Sequence, residues 1–210
     1  YTTIAVFPTR DRKLYIRSEN MDELIAIDLD ANEKKRHHWS DYVAGMAHVL
    51  EKEGFRLPGA SMLIESEVPV GSGLSSSAAL ERSSALALLS TVGGELNSEK
   101  LALLGQKAEN QFVGMNCGVM DQYAVALSSA GHLMLLDCGT LEYEHIPFNL
   151  RDFSMVVGHT GVVRSLIASQ YNLRRRECEE ALRLISARIG ARDDLGKVTP
   201  EEFEAVRDAL

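Results

Sequence analysis

Residues 68–80 read VPVGSGLSSSAAL, two glycines and four serines between an apolar run and an alanine-rich one. Gly71 and Gly73 carry no side chain to keep an anion away from the backbone. A helix starting near Ser75 turns unpaired N–H groups and the positive end of its dipole toward the same turn. Ser72, with Ser75, Ser76 and Ser77 beyond Leu74, adds hydroxyls for phosphate oxygens, a metal ion or a helix cap. The stretch has neither the G-K-[ST] of a Walker loop nor the glycine spacing of a dinucleotide fold. The competing reading is a tight, capped strand-to-helix turn. A cap, however, uses one hydroxyl, and three stand here in a row.

The second stretch is AENQFVGMNCGVMDQ, residues 108–122. Glu109 sits at the end of a helical pattern, and Asp121 follows a loop containing Gly114 and Gly118. Two carboxylates flanking such a loop can divide labour, one holding a divalent cation and one accepting a proton. The plainer alternative is a glycine-stopped helix followed by an N-capping aspartate.

These groups need elements to hold them. Residues 3–8, 13–18 and 24–28 read as short strands between polar turns. Residues 39–54 follow a helical period, with Tyr42, Val43, Met46, Val49 and Leu50 on one face. A strand over 60–68 leads into the glycine-serine turn, and a small, apolar helix over about 75–91 should lie deep against a sheet. A further helix runs from Ser98 to Phe112 and stops at Gly114. Beyond it come a short helix near 121–127, a hairpin of 132–138 with 143–148, an apolar strand over 153–161 and a charged helix over 164–190. In that helix, Arg175 with Glu179 and Arg176 with Glu180 are spaced as i,i+4 pairs on a solvated face. Thr199-Pro200-Glu201-Glu202 is a capping box opening a last helix. Strands first and helices later indicate an α+β fold with a mixed sheet packed by helices.

The composition narrows the partners. A net charge of −8 argues against a nucleic-acid surface, though backbone amides and a cation can still hold a small phosphate. No apolar run is long enough to span a membrane. Cys117, Cys138 and Cys178 are an odd, scattered set, which suits unpaired thiols and a cytoplasmic setting. His37, His38 and Cys117 read as surface or packing residues.

Taken together, PVGSGLSSSAALE and AENQFVGMNCGVMDQ resemble two motifs of the galactokinases, within the GHMP small-molecule kinases. The likeness continues through HLMLLDCGTLE and RSLIASQYNLRRRECEEA, covering most of residues 60–185. It implies an ATP-dependent sugar kinase that transfers the γ-phosphate to the anomeric hydroxyl of α-D-galactose, with Mg²⁺. By position, Gly71, Ser72, Gly73, Leu74, Ser75, Ser76 and Ser77 match the triphosphate-wrapping segment. Ser77 and Glu109 match the Mg²⁺ ligands. Asp121 matches the catalytic base, which the resemblance makes a buried aspartate beside the cation. Gly118 and Tyr171 match sugar contacts. Arg164 is a phosphate candidate, although Val163 stands where the family often has a second basic residue.

Two family motifs find no match: the first, with an arginine and Glu-His-x-x-Asp sugar ligands, and the third, rich in glycine. The chain is therefore expected to be the middle of a longer protein, with residues 1–155 most of an ATP-binding N-terminal domain and 156–210 the beginning of a C-terminal domain. The fragment is expected to be inactive and to self-associate, and the full protein to be monomeric. Kinases for N-acetylgalactosamine, arabinose or galacturonate are neighbouring readings. A non-catalytic galactokinase-like sensor of sugar and ATP is another, against which the intact GLSSSAA and Asp121 speak.

Overall fold

The computed structural model describes residues 1–31, 35–151, 153–158 and 170–209. The chain divides into two compact units, Tyr1–Ile167 and Ala168–Leu210. In the first unit, strands β1 (Thr2–Thr9), β2 (Lys13–Ser18), β3 (Glu23–Asp28) and β4 (Gly59–Ser66) form one sheet in the order β1-β4-β2-β3. β2 and β4 pair in parallel, with Ile16 opposite Met62, and the other pairings are antiparallel. The sheet is therefore mixed, and the fold is α+β as the pattern predicts.

Alternation along the strands decides which face is covered. Leu14, Ile16, Ile27, Ala60, Met62 and Ile64 point to the helices and are buried. On the opposite face, Phe7 is 74% and Leu24 70% exposed, and a shallow depression of about 360 Å³ includes Tyr15, Arg17 and Leu63. Helix α1 (Ser40–Lys52) buries the predicted face, with Val43, Met46, Val49 and Leu50 fully inaccessible. Helix α2 (Ser76–Ser90) puts Ala85, Leu88 and Leu89 into the same core and packs on β1 and α1. Helices α3 (Ser98–Ala108) and α4 (Met120–Leu127) complete the helical layer. A hairpin of β5 (His132–Leu136) and β6 (Tyr143–Pro147) comes next, and Met134 and Leu136 of β5 pack against buried Tyr123 and Ala126 of α4.

In the second unit, α5 (Gln170–Ile189) and α6 (Pro200–Val206) pack together. Thr199 and Glu202 form both bonds of the predicted capping box, with Pro200 in the first turn. Of the two predicted ion pairs on α5, Arg175–Glu179 forms at 3.0 Å. The second does not: Glu180 turns forward to Arg183, which reaches it through Nε and Nη2, both at 2.7 Å. A guanidinium that engages both carboxylate oxygens outcompetes a single contact from Arg176.

Two other expectations change. Phe153–Gly158 form no strand, and Met155, Val156 and Val157 are exposed. An apolar extended run becomes a strand only when a neighbour takes its backbone bonds, and among the described residues none lies alongside. Residues 159–161 of that run lie outside the described residues, as do residues 164–169 of the predicted charged helix. The helix expected over 98–112 is α-helical only to Ala108, and Glu109–Val113 continue as a π turn.

Candidate active site

The serine loop follows β4 and feeds α2. Gly71 has φ +71°, Gly73 φ +80° and Ser75 φ +59°, all left-handed. The first two are glycines, for which the conformation costs little. At Ser75 it does not come free, and such outliers gather where a backbone is shaped around a ligand. Ser75 occupies the N-cap of α2 yet makes no side-chain capping bond. The capped-turn alternative requires that bond, so it loses its support. Ser72 Oγ donates to the Pro69 carbonyl at 2.7 Å, while among the described residues the hydroxyls of Ser75, Ser76 and Ser77 make no hydrogen bond. The α2 N-terminus thus keeps its N–H groups and three hydroxyls for something else.

One turn along α2 from Ser77, on the same side of the helix, stands Glu81. It is 1% exposed. Its neighbours across the helical layer are Glu109, at the start of the π turn, and Gln122, in the first turn of α4. Gln122 Nε2 donates to Glu81 Oε2 at 3.2 Å and to Glu109 Oε2 at 2.9 Å. Room for the group comes from Gly105 in α3, where a Cβ would stand 3.0 Å from Glu81 Oε2 and 3.2 Å from Gln122 Cγ.

Burial governs the electrostatics here. It pushes the Glu81 carboxyl well above the ordinary carboxylate range, and the nearby charge of Glu109 adds to it. Burial also raises Glu109, to about 6, with the negative charge of Asp121 contributing and hydrogen bonds from Cys117 and Gln122 opposing. Two acids in one dry site cannot both ionise cheaply, and Glu81 is the one that keeps its proton. The Tyr42 hydroxyl of α1, buried close to both acids, and the Cys117 thiol are raised for the same reason, burial first.

The π turn is what aims Glu109. Its carbonyl accepts from both Gly114 N, at 2.8 Å, and Met115 N, at 3.1 Å, with Gly114 left-handed at φ +85°. The widened turn ends the helix and opens the loop to α4. Asn110 and Gln106 both donate to the Cys117 carbonyl, fixing that loop. Asp121 then lies on the first turn of α4, exposed, with Gln122 beside it buried. The expectation of a buried Asp121 is therefore not met: the helix turns Gln122 inward, and its neighbour faces out. Arg82 of α2 holds the far end of α4, donating to the Val125 and Ala126 carbonyls at 2.7 Å each.

Of the residues singled out in the sequence, Ser77, Glu109 and Asp121 belong to this arrangement through α2, the π turn and α4. Gly118 is exposed in the loop just ahead of α4. Tyr171 belongs to the second unit, on the first turn of α5, 49% exposed. Arg164 lies outside the described residues. Glu81 and Gln122 were missed. Glu81 carried a signal: it falls three residues after Ala78 and four before Ala85, on the face of α2 that must be buried.

A helix with free hydroxyls at its start, a buried carboxylate pair and an exposed carboxylate nearby are parts for phosphoryl transfer. The comparisons agree on the class. Residues 41–129 match the family described as GHMP kinases N terminal domain. Galactokinases are among the proteins it resembles. It is 40% identical over 200 residues to the galactokinase of Clostridium tetani, covering 94% of this chain and 51% of that one. With the galactokinase of Lactococcus lactis strain IL1403 it shares 40% over 204 residues, covering 95% and 51%. The crystal structure of Lactococcus lactis galactokinase complexed with galactose superposes with a TM-score of 0.87 at 36% identity, covering all of this chain and 55% of that one. Methanococcus jannaschii mevalonate kinase, at 17% identity, a TM-score of 0.53 and coverage of 60% and 41%, shares the fold. The chain spans about half the length of the curated relatives it matches. Among the described residues no helix is long and apolar enough to cross a membrane.

Proposed function

We propose that the protein carrying this chain is a galactokinase, transferring the γ-phosphate of ATP to the anomeric hydroxyl of α-D-galactose. What supports it most is the match of the whole chain to a galactokinase solved with galactose, at a TM-score of 0.87. On this reading the loop Gly71–Ser77 wraps the triphosphate with backbone N–H groups and serine hydroxyls, as suits a charge-rich, loosely bonded transition state. The sugar oxygen bonds to the γ-phosphorus as the bond to ADP breaks, and the hydroxyl proton passes to Asp121. An exposed carboxylate on a first turn is reachable by a sugar. Gly118, in the loop just ahead of Asp121, contributes to holding that sugar.

Ser77 and Glu109 fit a magnesium ion by their chemistry: a free hydroxyl and a buried carboxylate, both hard oxygen donors. Glu109, raised to about 6 by burial, gains an ionised form when a cation sits against it. Bound there, the ion neutralises the phosphates. Residues 1–155 then form most of the ATP-binding domain and 156–210 the beginning of the second domain. The setting we propose is cytoplasmic and the full protein monomeric.

The test is Asp121→Asn in the full-length protein. Neutralising the group at constant shape should lower kcat for galactose by at least a thousandfold while ATP affinity stays within a few-fold. Turnover near wild type would remove Asp121 from the role of base.

A further inference from the structure

We infer that Gln122 is the positioning residue of this site, its single amide group holding the carboxylate of Glu109 against the buried acid Glu81. The inference rests on the proposed role of Glu109 as cation ligand. Gln122 is 4% exposed, and its Nε2 donates to the two acids, at 2.9 Å to Glu109 and 3.2 Å to Glu81, with the Cys117 sulfur a longer third contact at 3.8 Å. Turning the amide would aim its oxygen at the Glu109 carboxylate and leave that group without this donor. The Gln122 Oε1 is buried with no partner, and an acceptor left dry is costly. A side chain kept only to fill space would be apolar here. The amide instead joins three segments. α2 brings Glu81 and, one turn earlier, Ser77; the π turn brings Glu109; α4 brings Gln122 itself and, next to it, Asp121. One side chain therefore sets the spacing between the triphosphate loop, the cation carboxylate and the base.

Glu81 is the second half of the device. Its Oε2 and the Oε2 of Glu109 accept from the same Gln122 amide nitrogen, which sets the two carboxyl groups side by side. An amide at position 81 would therefore also reach Glu109.

The test uses the full-length protein and Mn²⁺ with a non-hydrolysable ATP analogue as probe, read by water-proton relaxation, beside steady-state kinetics. Gln122→Met keeps length and removes both donors. It should weaken Mn²⁺ binding at least fivefold and lower kcat at least tenfold, with KM for galactose within threefold. Adding Glu81→Gln should return Mn²⁺ binding to within threefold of wild type. If Gln122→Met does not fold, Gln122→Asn, which withdraws the amide by one methylene, should weaken Mn²⁺ binding at least threefold. Unchanged Mn²⁺ binding in a folded Gln122 variant, even with a lowered Tm, overturns the inference, as does failure of rescue. The probe needs no sugar, so a wild type inactive on galactose would sink the galactokinase reading alone. Glu109→Gln with unaltered Mn²⁺ binding would overturn both the ligand role and this inference.

Discussion

Between Gly71 and Ser77 the backbone turns left-handed three times, and three hydroxyls are left without protein partners among the described residues. One helical turn later, at Glu81, the chain is packed to 1% exposure and its carboxyl is bonded across the helical layer. The first region gets its shape from backbone strain and offers donors to solvent. The second gets its shape from side chains that bond one another and exclude water. Binding surfaces must keep unsatisfied groups, whereas supporting structure must satisfy them. Substitutions in the supporting structure should accordingly show in stability, and reach ligand affinity only where they touch the side chains that hold the Glu109 carboxylate.

The largest expected effect is at Arg82, whose guanidinium ties α2 to two carbonyls at the end of α4. Arg82→Ala should cost about 2–3 kcal/mol of stability in denaturant unfolding, since charged donors to buried carbonyls are lost. ATP affinity should hold within threefold. A collapse of nucleotide binding in a protein of unchanged stability would erase the distinction between the regions.

Next comes pH. Glu81 has a folded-state pKa raised by burial, so the unfolded chain releases its proton first as pH rises. Stability therefore falls with pH from about 4.5 upward, and Glu109 adds to the fall between the ordinary carboxylate value and about 6. Glu81→Gln removes its share. The variant should match wild type near pH 4 and exceed it increasingly toward pH 7 in metal-free buffer. Parallel stability curves for the two proteins would show Glu81 to be ionised in the fold.

The smallest effect is in the loop. Ser75→Gly relieves a left-handed non-glycine residue worth about 1–2 kcal/mol, less the entropy a glycine brings to the unfolded chain. A net gain of about 0.5 kcal/mol is expected, with Mg·ATP affinity changed less than threefold. A loss of stability would mean that the serine side chain, and not the backbone turn, holds the loop.

Much of this was legible beforehand because period and capping are local. The alternation in 13–18, the apolar face of 39–54 and the Thr199 box each need only neighbours in sequence, and each is found. What could not be read depends on distant partners. The run 153–161 has strand composition, but pairing is supplied by another segment. The switch of 109–113 to a π turn is set by two amides competing for one carbonyl, which propensity does not register. Gln122 has ordinary surface chemistry, and only the approach of α2 makes it a clamp. At the candidate site, residue types were readable and their mutual support was not.

The π turn at Glu109–Val113 also fixes a length. It accommodates one residue beyond what an α-helical turn would hold, so the separation of Glu109 from Asp121 is metered in whole residues. Deleting one position among 110–113 would return the segment to α-helix, and each residue removed rotates the downstream chain by about 100°. Chains that diverge from this one can exchange side chains along the loop freely, but they cannot shorten it without turning Asp121 away from Glu109. Insertions and deletions should therefore be absent between these two carboxylates in any descendant that keeps their mutual placement, even where the intervening letters have all changed.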